Sequence, residues 1–265
     1  FEISQGEIDE NGKCKIEVKI ENILRVFEIK NENIYATVTN LILKEFKKED
    51  LISEFQDDIP RRKYIEAKDI YRYKINKIRF LEYGTDRSPA KLVRPTFKEW
   101  FDISKLYFNR LGILVGTFDY DNKYLHNDSI IGAALWKDLN GVENKSITSS
   151  IKKFSTMSRF EMEQLSESVD LRFLLGIMNS KYASVLLTNL RGGHYHIYPE
   201  HIRNIPIPTA TVEQQSVIIA LVEKILNTKR INPAADTSMI ESEIDAEVYR
   251  LYGLSDDEIK IVEGR

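Results

Sequence analysis

The chain has 265 residues, 42% hydrophobic and 30% charged, which makes it a globular chain of one large or two modest domains and excludes disordered and fibrous classes. A net charge of -3 excludes a uniformly basic polyanion binder, and the single cysteine, Cys14, excludes an internal disulfide or a thiolate metal cluster. A reducing, cytoplasmic setting is expected, and the most apolar stretch, Leu171 to Leu190, is broken by Arg172, Asn179 and Lys181, so no membrane span is expected.

The chain begins at Phe1 without a basic, then apolar leader, so a fragment lacking a secretory signal is expected. Up to about residue 140 the pattern is mostly that of strands. Lys15 to Ile20, Asn33 to Val38 and Ile113 to Phe118 alternate apolar or β-branched residues with polar ones, and Asn11-Gly12 reads as a tight turn. Between them Lys47 to Phe55 has helical spacing, with Leu51, Ile52 and Phe55 on one face.

After about residue 168 the period becomes helical. Asp170 can cap a helix carrying Leu171, Leu174, Leu175, Met178, Tyr182, Val185 and Leu186, which Gly192-Gly193 ends. His194 to Pro199 and Asn204 to Pro208 follow; Pro206 and Pro208 remove backbone donors and force a rigid, extended loop or edge. Three capping boxes then read as helix starts: Thr211 with Gln214, Ser238 with Glu241, and Ser255 with Glu258. The first opens a stripe of Val217, Ile218, Leu221, Val222, Ile225 and Leu226; the second opens Ile240, Ile244, Val248 and Leu251, closed by Gly253. Asn227 to Thr237 reads as the linker. The expected fold is α+β, a strand-rich body over 1–210 with a helical segment, 211–265, packed on it.

Charge is unevenly distributed. Residues 1–60 hold 8 Lys and Arg against 14 Asp and Glu, residues 61–110 hold 14 against 6, and residues 111–265 hold 16 against 21. The middle block, from Arg61-Arg62-Lys63 through Lys68, Arg72, Lys74, Lys77 and Arg79, is interleaved with Tyr64, Tyr71, Tyr73 and Phe80. It reads either as a surface that follows a phosphate backbone or as a solvated face paired with nearby carboxylates.

Few catalytic signatures occur. There is no Gly-x-Gly, no phosphate loop and no Asn-Pro-Pro-aromatic run, so neither a cofactor turn nor an amino-methylation loop is visible. Glu66-Ala67-Lys68 with Asp57 and Asp58 upstream fits a magnesium nuclease pattern, but Glu-x-Lys occurs six times in this Glu- and Lys-rich chain. His194, His196 and His201 lack a fourth zinc ligand at characteristic spacing, and the reading kept for them is polar surface or DNA-facing residues. Neither a catalytic nor a metal-binding residue is assigned.

Several segments in order resemble a known family. They are Ile3 to Gly6, Tyr64 to Tyr73, Ser104 to Leu106, Tyr124 to Ile130, Leu174 to Lys181 with its Asn-Ser-Lys, and Tyr198-Pro199. Ile202 to Pro208, Glu213-Gln214-Gln215, Ile244-Asp245 and Val248 to Leu254 with its Leu-Tyr-Gly-Leu complete the set. Together they resemble the TaqI-like C-terminal specificity domain of adenine-specific DNA methyltransferases and of fused type IIG restriction–modification enzymes. Type I specificity subunits look similar through the Pro-x-Pro and Gln-Gln region, and Ala67 stands where the TaqI-like family more often has glycine.

The resemblance implies a target-recognition domain that clasps double-stranded DNA, while a methyltransferase or nuclease domain of the same polypeptide, N-terminal to this chain, holds S-adenosylmethionine and any magnesium. On that reading Arg61, Arg62, Lys63, Lys68, Arg72 and Lys74 are expected at phosphates. Arg110 and the loop of Arg191, Gly192, Gly193, His194 and Tyr195 are expected at the DNA too, although the two glycines serve equally as a helix exit. Two other functions stay open: a magnesium nuclease built on Asp57 or Asp58, Glu66 and Lys68, and an interaction module presenting the stripes at Val217–Leu226 and Ile240–Leu251 to another subunit.

Overall fold

The computed structural model describes residues 2–8, 14–20, 23–29, 48–85, 88, 93–120, 123–153 and 157–264. The fold is α+β, with small antiparallel sheets in the first half and helices in the second. Among the described residues no helix is long and apolar enough to cross a membrane. The chain forms two compact units, 1–52 with 86–89, and 53–85 with 90–265, so that residues 211–265 belong to the larger unit.

The smaller unit contains a three-stranded antiparallel meander, β1 (Glu2–Ile8), β2 (Cys14–Ile20) and β3 (Ile23–Ile29). The strand expected over Lys15 to Ile20 is the centre of it, with Ile16 opposite Gln5 on one side and Phe27 on the other. The Asn11-Gly12 turn and the Asn33 to Val38 strand lie outside the described residues.

The helix expected over Lys47 to Phe55 is not formed. A short 3-10 turn, Lys48–Leu51, leads into the extended pair β4 (Ile52–Ser53). The Ser53 hydroxyl explains the change: its Oγ accepts from Phe55 N at 3.1 Å and donates to Phe55 O at 2.6 Å, a local turn that competes with helix.

In the larger unit β5 (Arg61–Tyr64) pairs with β8 (Arg79–Glu82), and a tight hairpin joins β6 (Ile70–Tyr71) to β7 (Lys74–Ile75). A second sheet has the order β10 (Gly116–Asp119), β9 (Lys105–Asn109), β11 (Ile130–Ala133). The strand expected over Ile113 to Phe118 is thus formed only in its second half. Asn109 diverts the first half into a turn: its Nδ2 donates to Leu111 O at 2.7 Å and its Oδ1 accepts from Val115 N at 3.2 Å.

The helices are α1 (Lys145–Lys153), α2 (Arg159–Glu167), α3 (Leu171–Asn179), α4 (Lys181–Arg191), α5 (Pro199–Arg203), α6 (Val212–Ile231), α7 (Ser238–Tyr252) and α8 (Asp256–Glu263). The single helix expected after Asp170 is broken at Ser180. This extended residue caps α4, accepting from Ala183 N through its Oγ at 3.1 Å and donating to Ile177 O at 2.7 Å. The boxes at Thr211 and Ser255 form as expected, whereas Thr237 rather than Ser238 precedes α7 and donates to Glu241 at 2.7 Å. Helix α6 runs on to Ile231, so the linker is shorter than expected, Asn232 to Thr237.

The core lies between α3, α6 and α7 and the face of the β9–β10 sheet. Leu175, Ile177, Ile218, Val222, Ile225 and Val248 are fully buried there beside Leu106 and Phe108. Gly176 lets α3 and α6 approach: a Cβ there would lie 2.5 Å from Ile218 Cγ2. Both apolar stripes therefore pack inward, although Val217 itself stays exposed.

Within the larger unit, C-terminal segments that carry the resemblance are hydrogen-bonded to one another. Lys181 N donates to Asp245 Oδ1 at 2.9 Å, joining the Asn-Ser-Lys run to Ile244-Asp245. Gln215 Nε2 donates to Ser168 O at 2.8 Å and to Ala210 O at 3.3 Å, tying the start of α6 to the end of α2. Tyr252 of Leu-Tyr-Gly-Leu donates its hydroxyl proton to Pro206 O at 2.5 Å, and Gly253 leaves α7 with φ 66°. These residues build a frame.

Candidate nucleic-acid interface

The basic block at 61–79 is largely committed to internal pairs, a correction to its reading as an open phosphate-following strip. Arg61 Nε donates to Asp57 at 2.8 Å and its side chain is only 6% exposed. Arg62 donates to Phe101 O at 2.7 Å, to Asp102 at 3.2 Å and to Lys123 O at 3.4 Å, and lies over the Tyr83 ring. Arg72 reaches Glu241 at 3.2 Å, while Arg79 sits between Asp69 at 2.5 Å and Glu66 at 3.4 Å. Lys68 is exposed beside Glu66 at 2.8 Å, and Lys74 donates to Pro233 O at 2.8 Å. Lys63 is exposed on β5. The arginines of this block brace the fold, while Lys63, Lys68 and Lys77 are exposed, Lys68 beside Glu66 and Lys77 paired with Glu54 at 2.6 Å.

The same pairs bear on the nuclease pattern. Asp57 is taken by Arg61, whose hydrogen bond holds its carboxyl below the usual range, and Glu66 is shared by Lys68 and Arg79. Among the described residues no three His, Cys, Asp or Glu converge as metal ligands.

The second expected group does assemble. Arg191 at the end of α4 donates to Gly112 O, and Gly112 N donates to Tyr195 O at 3.3 Å. Ile197 N donates to Arg110 O at 2.8 Å, and Leu111 bridges His196. Gly192 and Gly193 carry φ 57° and 88° with nothing within 4 Å of an added Cβ, so backbone conformation rather than crowding calls for glycine. The resulting loop holds His194, Tyr195, His196 and Tyr198 outward, with Tyr195 65% exposed. Arg110 is stacked on the Tyr198 ring at 5.4 Å and donates to Asp128 O at 2.5 Å.

Beside this loop opens a cleft of about 500 Å³. Its floor is β11, a sheet edge, and its walls are α1, α5 and the segment from Arg94 to Trp100. Arg94, Arg110 and Arg203 line it together with Trp100 and Trp136. Arg94 is exposed, and among the described residues no carboxylate lies in ion-pair range of it; Arg203 has only Glu200 at 3.7 Å. Trp100 rests on the bare face of Gly132, where a Cβ would lie 2.6 Å from the ring, and donates its indole proton to His126 Nε2 at 3.1 Å. That bond assigns the His126 proton to Nδ1, 3.0 Å from Asn127 O. Burial lowers the His126 pKa to about 4, so the ring is neutral and the cleft floor adds no cation there.

Behind the floor Lys105 is fully buried, donating to Ile103 O at 2.7 Å with Asp119 at 3.8 Å, and burial lowers its pKa to about 8. Tyr107 donates its hydroxyl proton to Asp119 at 2.7 Å. This network is closed from solvent and supports the sheet.

Sequence reasoning found Arg110 and the 191–195 loop but missed Arg94, Arg203, Trp100 and Trp136. No spacing connects these four; the only available signal was that the two tryptophans of the chain lie apart from any apolar period. No family model matches the chain, and no curated protein matches it.

Proposed function

We propose that this chain is the sequence-specific double-stranded DNA recognition module, the C-terminal specificity domain, of an adenine-specific DNA methyltransferase in a cytoplasmic restriction–modification system. The observation that carries this reading is the clustering of Arg94, Arg110 and Arg203 around one concave aromatic site beside the exposed His194 to Tyr198 loop. Arginine presents a planar fork suited to phosphate and to guanine edges, and exposed His and Tyr offer donors and rings for base contacts. The resemblance of the framework segments to TaqI-like specificity domains supports the same conclusion.

On this reading methyl transfer, and cleavage where a nuclease is fused, belong to an N-terminal part of the polypeptide that also holds S-adenosylmethionine and magnesium. The absence of any Gly-x-Gly turn in the sequence accords with that division. Reading α6 and α7 as a docking face is less well supported, because Ile218, Val222, Ile225, Ile244 and Val248 are spent in the core.

Repeated selection of randomised duplexes on the immobilised chain tests the proposal. One recurring motif is expected, with binding weakened by Arg110→Ala and by Arg203→Ala. Recovery of unrelated sequences would overturn it.

A further inference from the structure

We infer that the cleft between β11, α1 and α5 is a pocket for a single unpaired nucleotide, whose ring packs against Trp136 and whose phosphate is held by Arg94 and Arg203. For the source of that nucleotide, a strand of the bound DNA, the inference rests on the DNA-recognition reading.

Size sets the first limit. About 500 Å³ falls within the roughly 300–1,000 Å³ of small-ligand sites, and is too confined for a base-paired duplex. Composition sets the second. The lining is mostly apolar and aromatic, as in sites where a flat ring is buried and a few polar groups fix its orientation. Base rings stack on aromatic side chains without regard to sequence, and Trp136, partly buried at the cleft, is the indole available for this, Trp100 being committed to Gly132 and His126.

Charge supplies the third. Arg94 and Arg203 are exposed residues lining the same cleft, Arg203 with Glu200 at 3.7 Å, and Arg110 is oriented by Tyr198 and Asp128 O at its rim. Arginines that are not locked into buried carboxylate pairs can take a phosphate in a bidentate manner. Among the described lining residues the one carboxylate, Asp128, is exposed and can accept from an exocyclic amino group of a base. An edge strand on the floor adds main-chain donors and acceptors for the same purpose.

The chain provides its own probe, since Trp100 and Trp136 are its only tryptophans and both line the cleft. Titration with deoxynucleoside 5′-monophosphates should change tryptophan fluorescence saturably, whereas inorganic phosphate should leave it unchanged. Trp136→Ala should weaken binding about tenfold or more. Arg94→Ala with Arg203→Ala should do the same, and these exposed positions keep the test valid if the tryptophan variant does not fold. The chain should also prefer a duplex carrying one unpaired nucleotide over its fully paired counterpart.

No saturable response to the monophosphates, or an unaltered response in the double arginine variant, would overturn the pocket. Monophosphate binding without preference for the unpaired duplex would overturn DNA as its source. A recurring duplex motif with no monophosphate response leaves DNA recognition standing and removes the pocket; monophosphate binding with no duplex binding does the reverse.

Discussion

The side-chain amide of Asn179 pairs with both polar groups of the Gly116 backbone, its Oδ1 accepting from Gly116 N at 2.8 Å and its Nδ2 donating to Gly116 O at 3.0 Å. The last residue of α3 thereby acts as a substitute strand on the outer edge of β10. Tyr73 N also donates to Gly116 O, at 2.9 Å, so the β6–β7 hairpin, the sheet and the helices meet at one glycine.

Replacing Asn179 by Leu should therefore destabilise the chain by about 2–4 kcal/mol, because it strands the Gly116 N–H inside the protein. Urea unfolding should show a lower midpoint with an unchanged slope. A loss below about 1 kcal/mol would mean that the pairing is dispensable.

Reversing the charge of Arg61, Arg62 and Arg72 together should lower Tm by on the order of 10 °C, since it removes cations that hold Asp57, Asp102 and Glu241. Arg203→Glu should leave Tm within a few degrees while abolishing DNA binding. Equal thermal stability of the triple variant and the parent would return those arginines to the list of phosphate contacts.

His126 makes stability fall in acid. Its folded pKa, about 4, lies below the unfolded value of 6.5, so the unfolded chain binds more protons between the two. The stabilisation is complete above pH 6.5 and is lost as pH falls toward 4, a contribution on the order of 3 kcal/mol. His126→Phe should flatten that limb of a Tm against pH curve, at the expense of the Trp100 bond.

Lys105 acts at the other end of the scale. Burial lowers its pKa from 10.5 to about 8, so the unfolded chain holds the extra proton between those values and stability rises with pH through that window. The buried tyrosines, Tyr107 among them, have raised pKa values and oppose the rise above about pH 10. The slope should be measured between pH 8 and 10, where Lys105→Met should abolish it; an unchanged slope would reassign it to another group.

The helical half of the molecule was legible because its signals are local. Thr211 and Ser255 cap where a hydroxyl precedes a partner by three residues, and the inward stripe of α6 follows from its period. Where the reading failed, a single side chain redirected the backbone: Ser53 turned a helix into an extended pair, Asn109 shortened a strand, and Ser180 broke one helix in two. The basic block misled for a different reason. Its carboxylate partners include Asp102 and Glu241, far away in sequence, and a linear tally of charge cannot see them. The cleft was invisible on the same ground, because Arg94, Trp136 and Arg203 come together only through the tertiary fold.

The connector from Asn232 to Thr237 shows how far a surface segment can be fixed by its surroundings. Lys229 donates to Ala235 O at 2.6 Å, Lys74 donates to Pro233 O at 2.8 Å, and the Asn232 side chain accepts from Ala234 N at 3.1 Å. A protease needs several residues of pliable main chain to seat a substrate. Such a loop, exposed yet pinned by lysines from two elements, should resist nicking until Lys74 is removed, making cleavage there a sensor of whether the hairpin is still docked.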